Sequence, residues 1–138
     1  MKAGDKQDRK TFIKKAALGT AGFFLLNSLE SCTPADPEML LGKTSALEGG
    51  GTLTADFNGD RVMAMRNRKG NIVIFSLVCR HKRCTVEWKP NVAEFHCPCH
   101  EGKYNAEGNV LSGPPPGPMV RFKHEERGED LWILNEAG

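Results

Sequence analysis

No run of apolar residues in this 138-residue chain reaches the roughly 18 that a membrane-spanning helix needs. Long internal repeats are missing too, and helical periodicity is not convincing anywhere beyond Leu47. A helical bundle is therefore set aside. There is no Ser-His-Asp set and no paired-carboxylate candidate, so nothing in the sequence points to a hydrolytic site. An excess of one charge is also lacking. Six of the 19 Lys and Arg and three of the 17 Asp and Glu lie in residues 1–31, a balance of +3. The other 107 residues hold 13 against 14, a balance of −1. The basic excess thus belongs to the N-terminus, which argues against a domain that binds nucleic acid. The length supports one small domain. What stands out is cysteine, with five in so short a chain.

The N-terminus reads as an export signal over residues 1–31. Arg9, Lys10, Lys14 and Lys15 form a positive opening, and Ala16 to Leu26 an apolar run of 11 residues broken only by Gly19, Thr20 and Gly22. A run of that length fits a signal peptide better than a bilayer span; an uncleaved anchor or an amphipathic helix is the alternative. Arg9-Lys10-Thr11-Phe12-Ile13-Lys14 resembles the twin-arginine signal, with Lys10 in place of the second arginine. That pathway exports proteins already folded around a cofactor. Leu29-Glu30-Ser31-Cys32 resembles a bacterial lipobox, which makes Cys32 a lipidation candidate at the head of the mature chain; an incidental thiol is the plainer reading. Residues 32–46, with Pro34 and Pro37, read as a tether. Export places the domain on the periplasmic side of a bacterial membrane, where disulfides persist.

From Leu47 to Gly138 short strand patterns alternate with turn residues. Thr52 to Phe57 is closed by Asn58-Gly59-Asp60, and Val62 to Arg66 with Asn71 to Val78 flank a turn at residues 67–70. Thr85 to Trp88 and Ala93 to His96 suggest a second hairpin. Asn105-Ala106-Glu107-Gly108 turns the chain before Asn109 to Leu111, and Val120 to His124 with Leu131 to Leu134 form a closing hairpin. The fold class is all-β, a small antiparallel sandwich or barrel.

The chemistry is concentrated in two loops. One runs Cys79-Arg80-His81-Lys82-Arg83-Cys84 and the other Cys97-Pro98-Cys99-His100, with 12 residues between them. A hairpin of that length brings both loops to one end of a sheet. Taken alone, these residues suit one tetrahedral Zn²⁺ with a structural disulfide, or a framework of disulfides only. His96 and His124 carry no such pattern and read as ordinary half-exposed residues.

The two boxes resemble those of the Rieske iron–sulfur proteins, C-x-H-x-x-C followed by C-x-C-H. The resemblance runs from about Asn71 to Leu134 and includes Gly113-Pro114-Pro115-Pro116-Gly117-Pro118, which matches the family's proline-rich loop. It implies one [2Fe-2S] cluster, with Cys79 and Cys97 on the buried iron and His81 and His100 on the outer one. It further implies a disulfide between Cys84 and Cys99. Closing that loop of about 15 residues is worth on the order of 3 kcal/mol in the chain-entropy account. Pro114, Pro115 and Pro116 would shield the cluster, since prolines leave no backbone donors to satisfy. Tyr104 falls where the family places an aromatic that donates toward a ligating sulfur. Two imidazoles in place of two thiolates raise the potential from roughly −400 mV to between about −150 and +300 mV.

The implied activity is electron transfer, an oxidoreductase activity only within a complex. The leading expectation is an exported, membrane-tethered subunit of a quinol-linked chain, as in cytochrome bc complexes, with quinol and a c-type cytochrome or another redox subunit as partners. The alternatives are the small subunit of a periplasmic molybdenum oxidoreductase, similar to the arsenite-oxidase type, and a freestanding periplasmic carrier. Cytoplasmic ferredoxins of ring dioxygenases are disfavoured. Four positions depart from the quinol-oxidising pattern. The family's Leu and Gly after the first histidine are here Lys82 and Arg83, and its Gly and Ser after the second are Glu101 and Gly102. Losing the serine hydroxyl at Gly102 lowers the expected potential and favours menaquinol over ubiquinol. Lys82, Arg83 and Glu101 put charge where quinol docking usually meets an apolar tip; solvated rim residues are the plainer reading.

Overall fold

The computed structural model of the protein describes residues 34–138. The export signal and the lipidation candidate Cys32 lie outside the described residues. Among the described residues no helix is long and apolar enough to cross a membrane.

Ten strands are described: β1 (Glu38–Lys43), β2 (Thr52–Phe57), β3 (Asp60–Arg66), β4 (Ile72–Ser76), β5 (Glu87–Lys89), β6 (Glu94–Cys97), β7 (Gly102–Asn105), β8 (Val110–Ser112), β9 (Arg121–Arg127) and β10 (Asp130–Ala137). They form a six-stranded sheet ordered β1-β10-β9-β4-β3-β2 and a four-stranded sheet ordered β5-β6-β7-β8. Every pairing is antiparallel. The fold is all-β, as the alternation of strand and turn residues predicts. The outer strands β1 and β2 of the larger sheet approach one another, and a Cβ on Gly42 would lie 3.1 Å from Leu53. That sheet is nearly closed into a barrel.

Local chemistry explains the turns. β2 and β3 are joined by Asn58 and Gly59 with φ of 49° and 86°. Positive φ at both central positions gives the turn whose twist suits a two-residue hairpin, and Asn-Gly is the pair that tolerates it. β3 and β4 are buried on both faces. Val62, Ala64, Ile72 and Ile74 face a core with Leu47, Phe57, Leu131 and Ile133 inside the larger sheet. Met63, Met65, Val73 and Phe75 face the second core, which holds Leu77, Val86, Phe95, Tyr104 and Met119 between the two sheets. Two-sided burial is why the β4 sequence is continuously apolar rather than alternating.

β1 lies within the segment that its prolines mark as a tether. It pairs with β10, and Met39 and Leu41 pack on the barrel core while Leu40 stays exposed. A run of three apolar residues hides that alternation from the sequence. Residues 44–50 follow as a short 3-10 segment whose Leu47 is wholly buried.

Candidate metal centre

The chain leaves β4 through Leu77, which faces the inter-sheet core, and two residues later Cys79 enters the same core. A bridge between Val78 and Thr85 closes the first loop at its base. Inside it, the Cys79 N–H donates to the Cys84 carbonyl at 2.7 Å, and the Arg83 N–H to the Cys79 carbonyl at 2.8 Å. The second loop is the tip of the hairpin between β6 and β7, where Cys97 pairs with Gly102. Glu101 turns this corner with φ of 57°.

Cys84 and Cys99 form a disulfide that joins the two loops, with Cα atoms 6.5 Å apart. Cys79 and Cys97 keep free thiols, each 2% exposed. Above them His81 and His100 are exposed and meet edge to face, with ring centroids 4.9 Å apart. The four residues of the expected ligand set are thus sorted by depth, two sulfurs beneath two imidazoles. His96 and His124 stand elsewhere. His96 turns to the outer face of β6 and meets Glu94 at 2.8 Å, and His124 sits in β9.

The buried sulfurs are surrounded by donors. Burial opposes charge on Cys79, but the backbone N–H of His81, the Cys97 thiol, the Tyr104 hydroxyl and the backbone N–H of Lys82 donate to it. The outcome is a thiol held below its ordinary value. Cys97 is pushed up by burial and by charge on Cys79, although the backbone N–H groups of Cys99 and His100 pull the other way. Each loop therefore folds two N–H groups back onto its own cysteine. The Tyr104 hydroxyl lies 3.9 Å from the Cys79 sulfur. Burial first, and Cys79 second, push that hydroxyl up to about 12, so it stays a donor at any physiological pH.

A pair of sulfurs shut away from water yet supplied with N–H donors suits thiolates bound to a metal, because buried anionic sulfur otherwise carries a large desolvation cost. The sulfurs of Cys84, Cys97 and Cys99 also lie within 4.8 Å of one another. Two of those are bonded to each other, so that trio is no donor set for an ion. The residues fit a cluster held by two thiolates and two imidazoles.

The proline-rich segment closes over this site. Pro115 is buried, and a Cβ on Gly102 would lie 2.9 Å from its Cγ. Gly113 comes as close from the same side, since a Cβ there would lie 2.7 Å from the Gly102 Cα. Pro114 and Pro116 are exposed. Arg80 reaches across from the first loop, and its Nη1 donates to the Pro118 carbonyl at 3.3 Å. Arg83, at φ of 54°, pairs through Nη2 with Asp60 Oδ1 at 3.3 Å. The buried Ser76 hydroxyl donates to the other Asp60 oxygen at 3.1 Å and accepts from the Val78 N–H at 3.2 Å. These ties are not legible in the sequence. Asp60 reads there only as the end of a turn, and nothing in the spacing connects it with Arg83.

A family model for the Rieske [2Fe-2S] domain matches residues 38–123. The chain belongs to this family. Rieske domains carry one [2Fe-2S] cluster, and the matched span holds both loops and the proline-rich segment. The chain is 34% identical over 100 residues to the cytochrome b6-f complex iron-sulfur subunit of Chlorobaculum thiosulfatiphilum, covering 72% of this chain and 54% of that one. It is 40% identical over 72 residues to the menaquinol:cytochrome c reductase iron-sulfur subunit of Geobacillus thermodenitrificans, covering 49% and 43%. It spans about half the length of these curated relatives. Among solved structures, the cyanobacterial plasma membrane Rieske protein PetC3 from Synechocystis PCC 6803 superposes with a TM-score of 0.62 at 27% identity. That likeness covers 69% of this chain and 97% of that one.

Proposed function

We propose that this Rieske protein passes single electrons through one [2Fe-2S] cluster held by Cys79, Cys97, His81 and His100, as the iron–sulfur subunit of a quinol-linked respiratory complex. The carrying observation is the sorting by depth: two free, donor-supplied thiols lie under two facing, exposed imidazoles, on loops joined by the Cys84–Cys99 disulfide. When bound, the cluster supplies one-electron chemistry in the range of about −150 to +300 mV. The chain supplies the rest. Backbone N–H groups of His81, Lys82, Cys99 and His100 and the Tyr104 hydroxyl stabilise charge on the two sulfurs. Pro115 on Gly102 excludes water from one flank. His81 and His100 present ring nitrogens to the surface, where a quinol hydroxyl can hand over its proton as its electron leaves.

The similarity to subunits of cytochrome b6-f and menaquinol:cytochrome c reductase complexes supports the complex and, with Gly102 in place of serine, menaquinol as the donor. Location on the periplasmic face, by way of the segment up to Cys32, belongs to the same proposal. A freestanding carrier is the second reading, favoured by the charged first loop. Iron and acid-labile sulfide analysis with EPR of the reduced protein tests the cluster. Two irons and two sulfides per chain with a rhombic signal of low average g are expected, and one zinc without that signal would refute it. Co-purification with haem subunits separates the complex from the freestanding carrier.

A further inference from the structure

We propose that Arg80, Lys82 and Arg83 form a docking surface for a redox protein that carries an acidic patch around its own electron-exchanging group. This rests on the reading of His81 and His100 as cluster ligands, since only then do electrons cross at this tip.

The first loop places three cations within four residues around exposed His81. Elsewhere the larger sheet largely neutralises its own charge. Lys43 pairs with Asp130, Arg66 with Glu48, Lys123 with Glu136, and Arg127 with Glu38 and Glu125. Among the described residues neither Arg80 nor Lys82 has a carboxylate partner. The Arg80 bond to the Pro118 carbonyl orients its guanidinium without neutralising it. Lys82 is exposed, and among the described residues its side chain makes no hydrogen bond. Arg83 pairs with Asp60, yet its side chain is still 78% exposed.

Its conformation is informative too. A φ of 54° is one that glycine adopts freely and other residues do not. A long cationic side chain is held there nonetheless. The result is a local basic field on a described domain whose 13 cations and 14 anions nearly cancel.

A partner surface closing on this loop would have to strip water from three cations, which is unfavourable without counter-charges. A protein surface bearing carboxylates supplies them. Charges on the rim of such an interface act chiefly on the association rate and its salt dependence. That is where the proposal is tested.

The full-length holoprotein, reduced, is mixed by stopped flow with ferricyanide at about 0.01 and about 0.15 M ionic strength, a change that contracts the screening length from roughly 30 to roughly 8 Å. One electron leaves the protein and reduces ferricyanide to ferrocyanide, with no bond made or broken. The rate should fall at least about three-fold with added salt, as it does when opposite charges steer an encounter. Lys82→Glu should abolish most of that dependence. Lys69→Glu, the same charge change in the turn at the other end of β4, should leave it intact. The reduced protein passing electrons to an oxidised basic c-type cytochrome should show the reverse trend, faster as salt rises. Equal behaviour of the two variants, or a basic cytochrome that reacts faster at low salt, overturns the docking surface. The rhombic EPR signal is recorded on each sample. If wild type lacks it, the cluster reading itself has failed and the docking surface falls with it. If the signal is present and the salt effects are absent, the docking inference alone is wrong.

Discussion

Pro115 lies on Gly102 so closely that a Cβ on the glycine would stand 2.9 Å from the proline Cγ. The pattern that the two boxes resemble has serine at that position, where this chain has Gly102. Here the proline-rich segment takes the space the serine side chain would need. The loss of a hydroxyl beside the cluster and the tight seating of the covering segment are therefore one structural choice.

Gly102→Ser should accordingly fail to raise the potential while this packing persists. Overpacking of this kind costs about 1–3 kcal/mol. In a domain of about 100 residues, each kcal/mol moves Tm by roughly 4–8 °C. Thermal unfolding followed by visible absorption should show the drop. Pro115→Ala in the same chain should recover part of it, a non-additivity expected only if the two side chains contend for the same space.

The disulfide makes a second prediction. Cys84→Ser frees the two loops from each other while leaving both free thiols and both histidines in place. The cluster should still assemble, but bleach several-fold faster in air and show a lower potential. On the chain-entropy account, stability should fall by about 3 kcal/mol. A variant with the bleaching rate and potential of wild type would mean that the bridge does not hold the loops in register.

Arg83 sets a conformational test. Arg83→Ala keeps the φ of 54° unfavourable and removes the tie to Asp60, whereas Arg83→Gly removes the tie and relieves the backbone. The exposed ion pair is worth at most about 1 kcal/mol. The left-handed conformation costs a non-glycine residue about 1–2 kcal/mol. Urea unfolding should therefore rank Gly above Ala by about 1 kcal/mol, with the glycine variant close to wild type. Equal stability of the two variants would contradict the strain.

His124 sets a pH dependence of stability away from the metal centre. Burial, reinforced by Arg121 and opposed by Glu126, lowers its proton affinity in the folded protein. The unfolded chain then binds more protons than the folded one just below the ordinary histidine value of about 6.5. This contribution is complete above that value. It declines as pH falls through the lowered folded value and levels off below it. His124→Gln should flatten that limb of the stability profile, measured by urea unfolding at a series of pH values.

The two Cys and His boxes are legible because the family's pattern fixes both their spacing and their residue types. Tyr104 and the proline-rich segment were legible at fixed offsets from those boxes. β1 was not, because Pro34 and Pro37 signal a tether and Met39-Leu40-Leu41 shows no alternation; its place is set by pairing with β10, nearly a hundred residues later in the chain. β7 was also hidden, since Gly102-Lys103-Tyr104-Asn105 has little strand propensity and pairs because the hairpin from β6 delivers it there. Arg80 on Pro118 and Arg83 on Asp60 are contacts between separate loops, of which the spacing of residues carries no trace.

The central claim is that two exposed imidazoles and two buried thiolates hold one cluster. A potentiometric titration of the holoprotein, followed by its EPR signal, tests it most directly. The account predicts a rhombic signal of low average g and a potential between about −150 and +300 mV, above the all-thiolate range. His100→Cys should draw that potential down toward the all-thiolate range near −400 mV, in the order of magnitude set by plant-type ferredoxins. A wild-type potential already near −400 mV, in the order of magnitude of plant-type ferredoxins, or one that His100→Cys leaves unchanged, would contradict the assignment.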